Sequence, residues 1–365
     1  MPQPRARGYA GLEAPALVRC RVQTEEGLVG SGVTGRFLAE QVSALLAGGF
    51  DAALRGADAR EIEAIRGLLV QRFAPRSGTG VFVSALSALD IALWDLRARA
   101  FGEPLWRLPG AARPSVPCYA TVGLPGYDVA TLVEACRSAI AQEYRGAKML
   151  VAAGRGINED AARVRAVRRA LGPGPWLVLD ANCGMTVADA KRLALLVADR
   201  DIAWFEEPVH GNDIEALAAL RRAIPMPIGA GQMMQSLGWF RDALVRGAVD
   251  WLQPNAAFCG GISTLLRVLA LAEAHGVPVA HAGGLDIANA AALAGDAHGG
   301  LLEMHGAQHR MRALLAEDLV PEGGVMALPI AQASASRSAS PADGSEPAEG
   351  VRRSARAAAL RSTLW

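Results

Sequence analysis

WLVLDAN, residues 176–182, and AWFEEP, residues 203–208, share one plan: a short apolar run with strand propensity that ends in a carboxylate, Asp180 or Glu206. Six further runs follow it: CYATVG (118–123), AKMLV (147–151), MPIGAG (226–231), DWLQPN (250–255), PVAHAGG (278–284) and LLEMHG (301–306). The step between runs is roughly 22 to 32 residues, and helical patterns fill most of the gaps, which is the length of a βα unit. Eight such runs within about 190 residues predict a compact α/β barrel. A doubly wound open sheet is the competing architecture. It needs fewer strands and places a GxGxxG turn after its first strand, which this chain lacks.

On the N-terminal side, ALVRCRVQTEEGLVGSG (16–32) alternates apolar and polar positions around a Gly-containing turn, predicting a β-hairpin. VSALSALDIALWDLRARAFG (83–102) repeats apolar residues at helical spacing, and Gly102 with Pro104 stops it. Residues 1–112 are therefore expected to form an α+β domain and 113–327 the barrel. The tail, 328–365, is rich in Ala, Ser, Pro and Arg. It has little apolar surface to offset its ordering entropy and is expected to be disordered.

Seven of the eight runs carry an ionisable or amide residue near the C-terminal end: Lys148, Asp180 with Asn182, Glu206 with Glu207, Gln232, Asn255, His281 and Glu303. In a barrel these ends form the rim on which active sites are built. Asp180, Glu206 and the Gln232 amide oxygen come from consecutive strands. They are hard oxygen ligands suited to Mg²⁺. Asn182 and Glu207 stand beside them as candidates for contacting substrate. A Lys148 pointing into the mouth would be partly desolvated beside a cation, its pKa lowered towards base chemistry. His281, roughly opposite, is a second candidate proton carrier.

The 37 basic and 36 acidic residues give no electrostatic reason to expect nucleic acid or an anionic membrane as partner. The five scattered cysteines read as free thiols in a reducing compartment. MPQPRARGYAG lacks the apolar core of a signal peptide, and no apolar run approaches a membrane span. A cytoplasmic protein is expected.

With these residues in view, the chain resembles the mandelate racemase/muconate lactonizing enzyme group of the enolase superfamily over nearly all of residues 15–306. The carriers are the 83–110 segment, LDAN, WFEEP, QPN with CGGIS (259–263), and AEAHGVPVAHAGG (272–284). The resemblance implies an N-terminal α+β capping domain on a modified (β/α)7β TIM-type barrel, a small-molecule carboxylate substrate bound through Mg²⁺, and abstraction of the proton α to that carboxylate. It places Asp180, Glu206 and Gln232 as metal ligands and Lys148 as the first Lys of a KxK pair. Asn255 and His281 fall on an Asp–His dyad, and Glu303 on the acid that hydrogen-bonds the substrate carboxylate. The family also commonly forms symmetric homo-oligomers.

Four positions depart from the pattern. The second Lys is Leu150, the third metal carboxylate is Gln232, the dyad Asp is Asn255, and the cap's GWGE reads Gly30-Ser31-Gly32-Val33. The family's first cap strand and C-terminal closing segment are not recognisable. Leu150 removes one of the two bases a racemase or epimerase needs, and cycloisomerases generally depend on the Lys pair. The expected activity is a sugar-acid dehydratase, a carbon–oxygen hydro-lyase yielding a 2-keto-3-deoxy acid, with His281 as base or acid. The alternative is a catalytically silent member that binds metal or acid, or serves as an assembly subunit.

Overall fold

The computed structural model describes residues 17–35, 37–306, 321–329 and 355–356. The expected hairpin is present: β1 (Val18–Gln23) pairs antiparallel with β2 (Val29–Thr34), Val18 opposite Thr34 and Gln23 opposite Val29. Helices α1 (Ala39–Leu45), α2 (Asp51–Leu54), α3 (Ile62–Arg72) and α4 (Val81–Phe101) follow, and Gly102 in the left-handed region ends α4. The α4 backbone lies directly on β2. A Cβ at Gly30 or Gly32 would collide with the carbonyl of Ala92 or Ala88, so both positions need glycine for this close approach.

The barrel begins with β3 (Ser115–Gly123) and alternates α5 (Val129–Ala141), β4 (Gly146–Leu150), α6 (Ile157–Leu171), β5 (Trp176–Asp180), α7 (Val187–Leu196), β6 (Ile202–Glu206), α8 (Ile214–Ala223), β7 (Ile228–Ala230), α9 (Leu237–Val245) and β8 (Trp251–Leu252). After β8 come α10 (Ala256–Cys259), α11 (Ile262–Ala274), a short extended piece at Val279 and Ala280, α12 (Asp286–Gly295) and β9 (Leu302–His305). Successive strands β3 to β8 pair in parallel. Bridges Leu252–Val279 and Ala280–Leu301 carry the ring onward, and β9 closes it on β3 with Tyr119 opposite Glu303. The eighth run is thus a closing strand, which makes the barrel (β/α)7β. Outside the ring, β10 (Val325–Ala327) lies antiparallel to β3.

Side-chain alternation divides each barrel strand. In β5, Leu177 and Leu179 join the large core beneath the helices, while Val178 faces the barrel interior with Tyr119, Trp204 and Ala280. Trp204 is the hub of this interior. Its ring centroid lies 5.3 Å from Tyr119, 6.1 Å from Trp176 and 5.0 Å from Trp251. Aromatic packing, edge-to-face against Tyr119 and Trp176 and tilted against Trp251, therefore fills the lower barrel. The C-terminal half of the interior is left to polar side chains.

The cap is fastened to the barrel through CGGIS. Arg66 on α3 bonds Asp90 (2.7 Å), the Gly260 carbonyl (2.5 Å) and Thr264 (2.7 Å). Asp90 accepts from the Ser263 amide, and Trp94 donates to the Ser263 hydroxyl. Burial raises the Asp90 carboxyl above its usual range, with Arg66 pulling the other way.

The tail expected to be disordered lies outside the described residues, apart from its first residues up to Pro329 and a two-residue strand. That strand, β11 (Ala355–Arg356), pairs in parallel with β1, a cap-sheet pairing not expected from the composition. Among the described residues no helix is long and apolar enough to cross a membrane, and all five cysteines are free thiols.

Candidate active site

Lys148, third residue of β4, points into the barrel and is fully buried. Its ammonium lies 3.2 Å from Asp180, 2.5 Å from Glu206 and 2.8 Å from Glu303, so carboxylates from β5, β6 and β9 converge on it. Asp180 and Glu206 end neighbouring strands and are register partners, which is why their side chains meet. Burial pulls the Lys148 pKa down, but Glu206, Glu303 and Asp180 outweigh burial and hold it well above its ordinary value, so among these side chains the group is an ammonium.

Glu206 is pushed up by burial, with Asp180 and Glu303 adding to the effect of burial against Lys148. Its second oxygen accepts from Gln253 at 2.7 Å and from the Trp204 indole at 3.3 Å. Neither residue is among the candidates that strand-end position singles out in the sequence. The signal was there for Gln253, which sits two residues before Asn255 on an apolar run.

Glu303 accepts from Lys148, the Thr121 hydroxyl and the main-chain amides of Gly283 and Gly284. Burial alone would raise its carboxyl, but Lys148, then His305 and His281, hold it well below the usual range. It is therefore an ionised hub with its oxygens already engaged by these donors. The glycines after His281 wrap Glu303 with their main-chain amides.

His281 is buried, and its pKa is pushed down to about 4 by that burial, against Glu303. One ring nitrogen, Nε2, lies 2.9 Å from the Gly284 carbonyl, which fixes it as the N–H, while Nδ1 accepts from the Glu303 amide at 3.3 Å. Asn255 is not its acceptor. The Asn255 amide donates to the carbonyls of Ala282 (2.8 Å) and Gly284 (2.9 Å) and stands 3.2 Å from His281 Nε2, two donors side by side. Its oxygen caps α10 at Ala257 and accepts from Asn289. The dyad role expected for Asn255 is thus replaced by a loop-bracing one.

The remaining residues fall outside the cluster. Glu207 is buried and bonded to the Asn212 amide (2.7 Å) and the Gln232 main-chain N–H (3.1 Å), so it braces the β6 and β7 loops instead of facing substrate. Asn182 is exposed, in the left-handed region at φ 45°, and its main-chain N–H donates to Asp180 at 2.8 Å. Gln232 is half-buried, its side chain packed against Gly283. Among the described residues no three His, Cys, Asp or Glu side chains form a ready-made metal cage. Asp180 and Glu206 are the pair placed to hold a hard cation, with Lys148 between them.

Two family models match the chain: the N-terminal domain of the mandelate racemase/muconate lactonizing enzyme family over residues 3–110, and the enolase C-terminal domain-like family over residues 131–332. A 3,6-anhydro-α-L-galactonate cycloisomerase from Streptomyces coelicolor is 34% identical over 86% of this chain and 86% of its own. An L-rhamnonate dehydratase from Saccharopolyspora erythraea is 32% identical over 76% of this chain and 70% of its own. A D-galactarolactone cycloisomerase from Agrobacterium fabrum is 35% identical over 66% of this chain, and the match spans 64% of that relative's length. A racemase from Streptomyces coelicolor with bound magnesium superposes with a TM-score of 0.77 at 30% identity, covering 86% of this chain and 90% of its own. An L-talarate dehydratase from Polaromonas, complexed with Mg and L-glucarate, has the same TM-score at 27% identity, covering 87% and 93%. The relatives are enzymes of several reaction types on one fold. The chain belongs to the mandelate racemase/muconate lactonizing enzyme family of the enolase superfamily.

Proposed function

We propose that the protein is a Mg²⁺-dependent hydro-lyase acting on a sugar acid. The single observation that carries the cation is the charge of the cluster. Three carboxylates surround one ammonium in the buried interior, and the other donors named for them are neutral. Such a set is short of positive charge and fits a further hard cation. Asp180 and Glu206 would hold it, and Gln232 would have to turn its amide away from Gly283 to serve as a neutral third ligand. Mg²⁺, when bound, polarises a substrate carboxylate and offsets the charge that develops as the α-proton leaves.

The chain's own residues supply the rest. Lys148 holds the carboxylates of Asp180, Glu206 and Glu303 together beneath the site, and buried Glu303 holds Lys148 and the Gly283–Gly284 loop in place. His281, neutral at physiological pH, takes the α-proton as the C–H bond breaks. It returns that proton to the departing β-hydroxyl, so water leaves and the enol product tautomerises to a 2-keto-3-deoxy acid. For this, His281 must exchange its loop hydrogen bonds for substrate. The resemblance to an L-rhamnonate dehydratase and to a dehydratase complexed with glucarate supports a sugar acid as substrate class. Leu150 argues against a two-base racemase, although relatives include cycloisomerases. Replacing His281 with Asn is expected to abolish turnover while Mg²⁺ still binds; unchanged turnover would refute the assignment.

One observation favours a second reading. Both His281 nitrogens are tied to the main chain, and Leu150 offers no proton acceptor. A silent member that binds metal or an acid would retain this arrangement. Mg²⁺ titration by calorimetry followed by sugar-acid turnover separates the two readings.

A further inference from the structure

We propose that Gln253 is a positioning residue that restricts Glu206 to offering one oxygen to a divalent cation. The inference rests on the metal reading of Asp180 and Glu206 above. Gln253 follows β8, and its main-chain N–H donates to Ala230 on β7. Its fully buried side chain crosses β7 to reach β6, where Nε2 donates to Glu206 Oε2 at 2.7 Å. The crossing is possible because the strand between them carries Gly229, the register partner of Glu206; a Cβ there would collide with the Gln253 amide oxygen.

Trp204 donates to the same Glu206 oxygen at 3.3 Å, so Oε2 has two N–H partners while Oε1 faces Lys148 at 2.5 Å. The orientation of the Gln253 amide follows from chemistry, since a flipped amide would set oxygen against carboxylate. Its own oxygen, although buried, has no hydrogen-bond partner among the described residues. Leaving an acceptor unpaired is a cost, and here it accompanies the placement of one N–H on Glu206. Mg²⁺ takes carboxylates through single oxygens in strict octahedral geometry, whereas Ca²⁺ readily takes both oxygens of one carboxylate. With Oε2 held by Gln253 and Trp204, Glu206 is a one-oxygen ligand and the site favours Mg²⁺.

The test is calorimetric titration of the full chain with Mg²⁺ and separately with Ca²⁺, for wild type and the near-isosteric Gln253→Met. The expected result is a Mg²⁺ affinity lower by about 10- to 100-fold with Ca²⁺ affinity retained or raised, so that the preference for Mg²⁺ collapses. A purely space-filling role would lower the melting temperature and leave the ratio of the two affinities unchanged, and that result overturns the proposal. Should Gln253→Met fail to fold, Trp204→Phe removes the second donor and is read the same way. Wild type that binds neither ion refutes the metal reading and this inference together. Wild type that binds, with an unaltered ratio in the variant, refutes this inference alone.

Discussion

The Lys148 ammonium lies 2.5 Å from Glu206 Oε1, inside the barrel and out of reach of water. That pair is the axis of the polar interior, because Asp180 on β5 and Glu303 on β9 close on the same nitrogen. Removing the ammonium leaves carboxylates buried without compensation. Lys148→Met is expected to cost about 3–5 kcal/mol of stability, read by chemical denaturation. Added Mg²⁺ should restore more stability to the variant than it adds to the wild type. Equal gains would show that no cation enters this cluster.

His281 couples folding to pH. Its ordinary value is 6.5 and burial takes it to about 4, so the unfolded chain binds a proton in that window that the folded chain does not. The stabilisation from keeping His281 neutral is complete above 6.5 and is lost as pH falls towards 4, a change of roughly 3 kcal/mol. Thermal unfolding followed across this range should show the loss, and His281→Leu should flatten it. A variant with the wild-type pH profile would contradict the assignment.

Several of these relationships were legible in the sequence, and the reason is the period of the strand. Asp180, Glu206 and Glu303 end apolar runs, and alternation sends them to the interior with Lys148. The same alternation pairs Gln253 with Asn255, but Gln253 went unread because an amide before Pro-Asn looks like loop polarity. The contacts of Asn255, Glu207 and Glu303 are not legible in the same way. Their partners include main-chain groups of loops from other strands, at 282–284 and 232, and no spacing rule reveals which loop folds over which side chain. Strand spacing sends Asp180, Glu206 and Glu303 inward, but it does not show that all three converge on the one Lys148 ammonium.

Glu207 provides a contrast with Glu206. Its bonds to Asn212 and to the Gln232 amide make it a loop brace. Glu207→Ala should cost about 1–3 kcal/mol by leaving those donors unpaired, while Mg²⁺ affinity by calorimetry stays at the wild-type value. Loss of metal binding with the fold intact would return Glu207 to the site.

The cap joint rests on Arg66 and Asp90. Arg66→Met strands a buried carboxylate and is expected to destabilise the protein by about 3–5 kcal/mol. The double variant Arg66→Met, Asp90→Leu should recover part of the loss, since no charge then remains buried. Denaturant titration of the single and double variants checks the coupling. Strict additivity would show that the pair does not act as a unit.

The most direct test of the function is turnover itself. The Mg²⁺-loaded protein is incubated with a panel of sugar acids, and the product is read as a 2-keto acid. Formation of a 2-keto-3-deoxy acid from at least one of them, dependent on Mg²⁺ and lost in His281→Asn, is the predicted result. Mg²⁺ binding with no keto-acid product from any acid would contradict the dehydratase reading and leave the silent one standing.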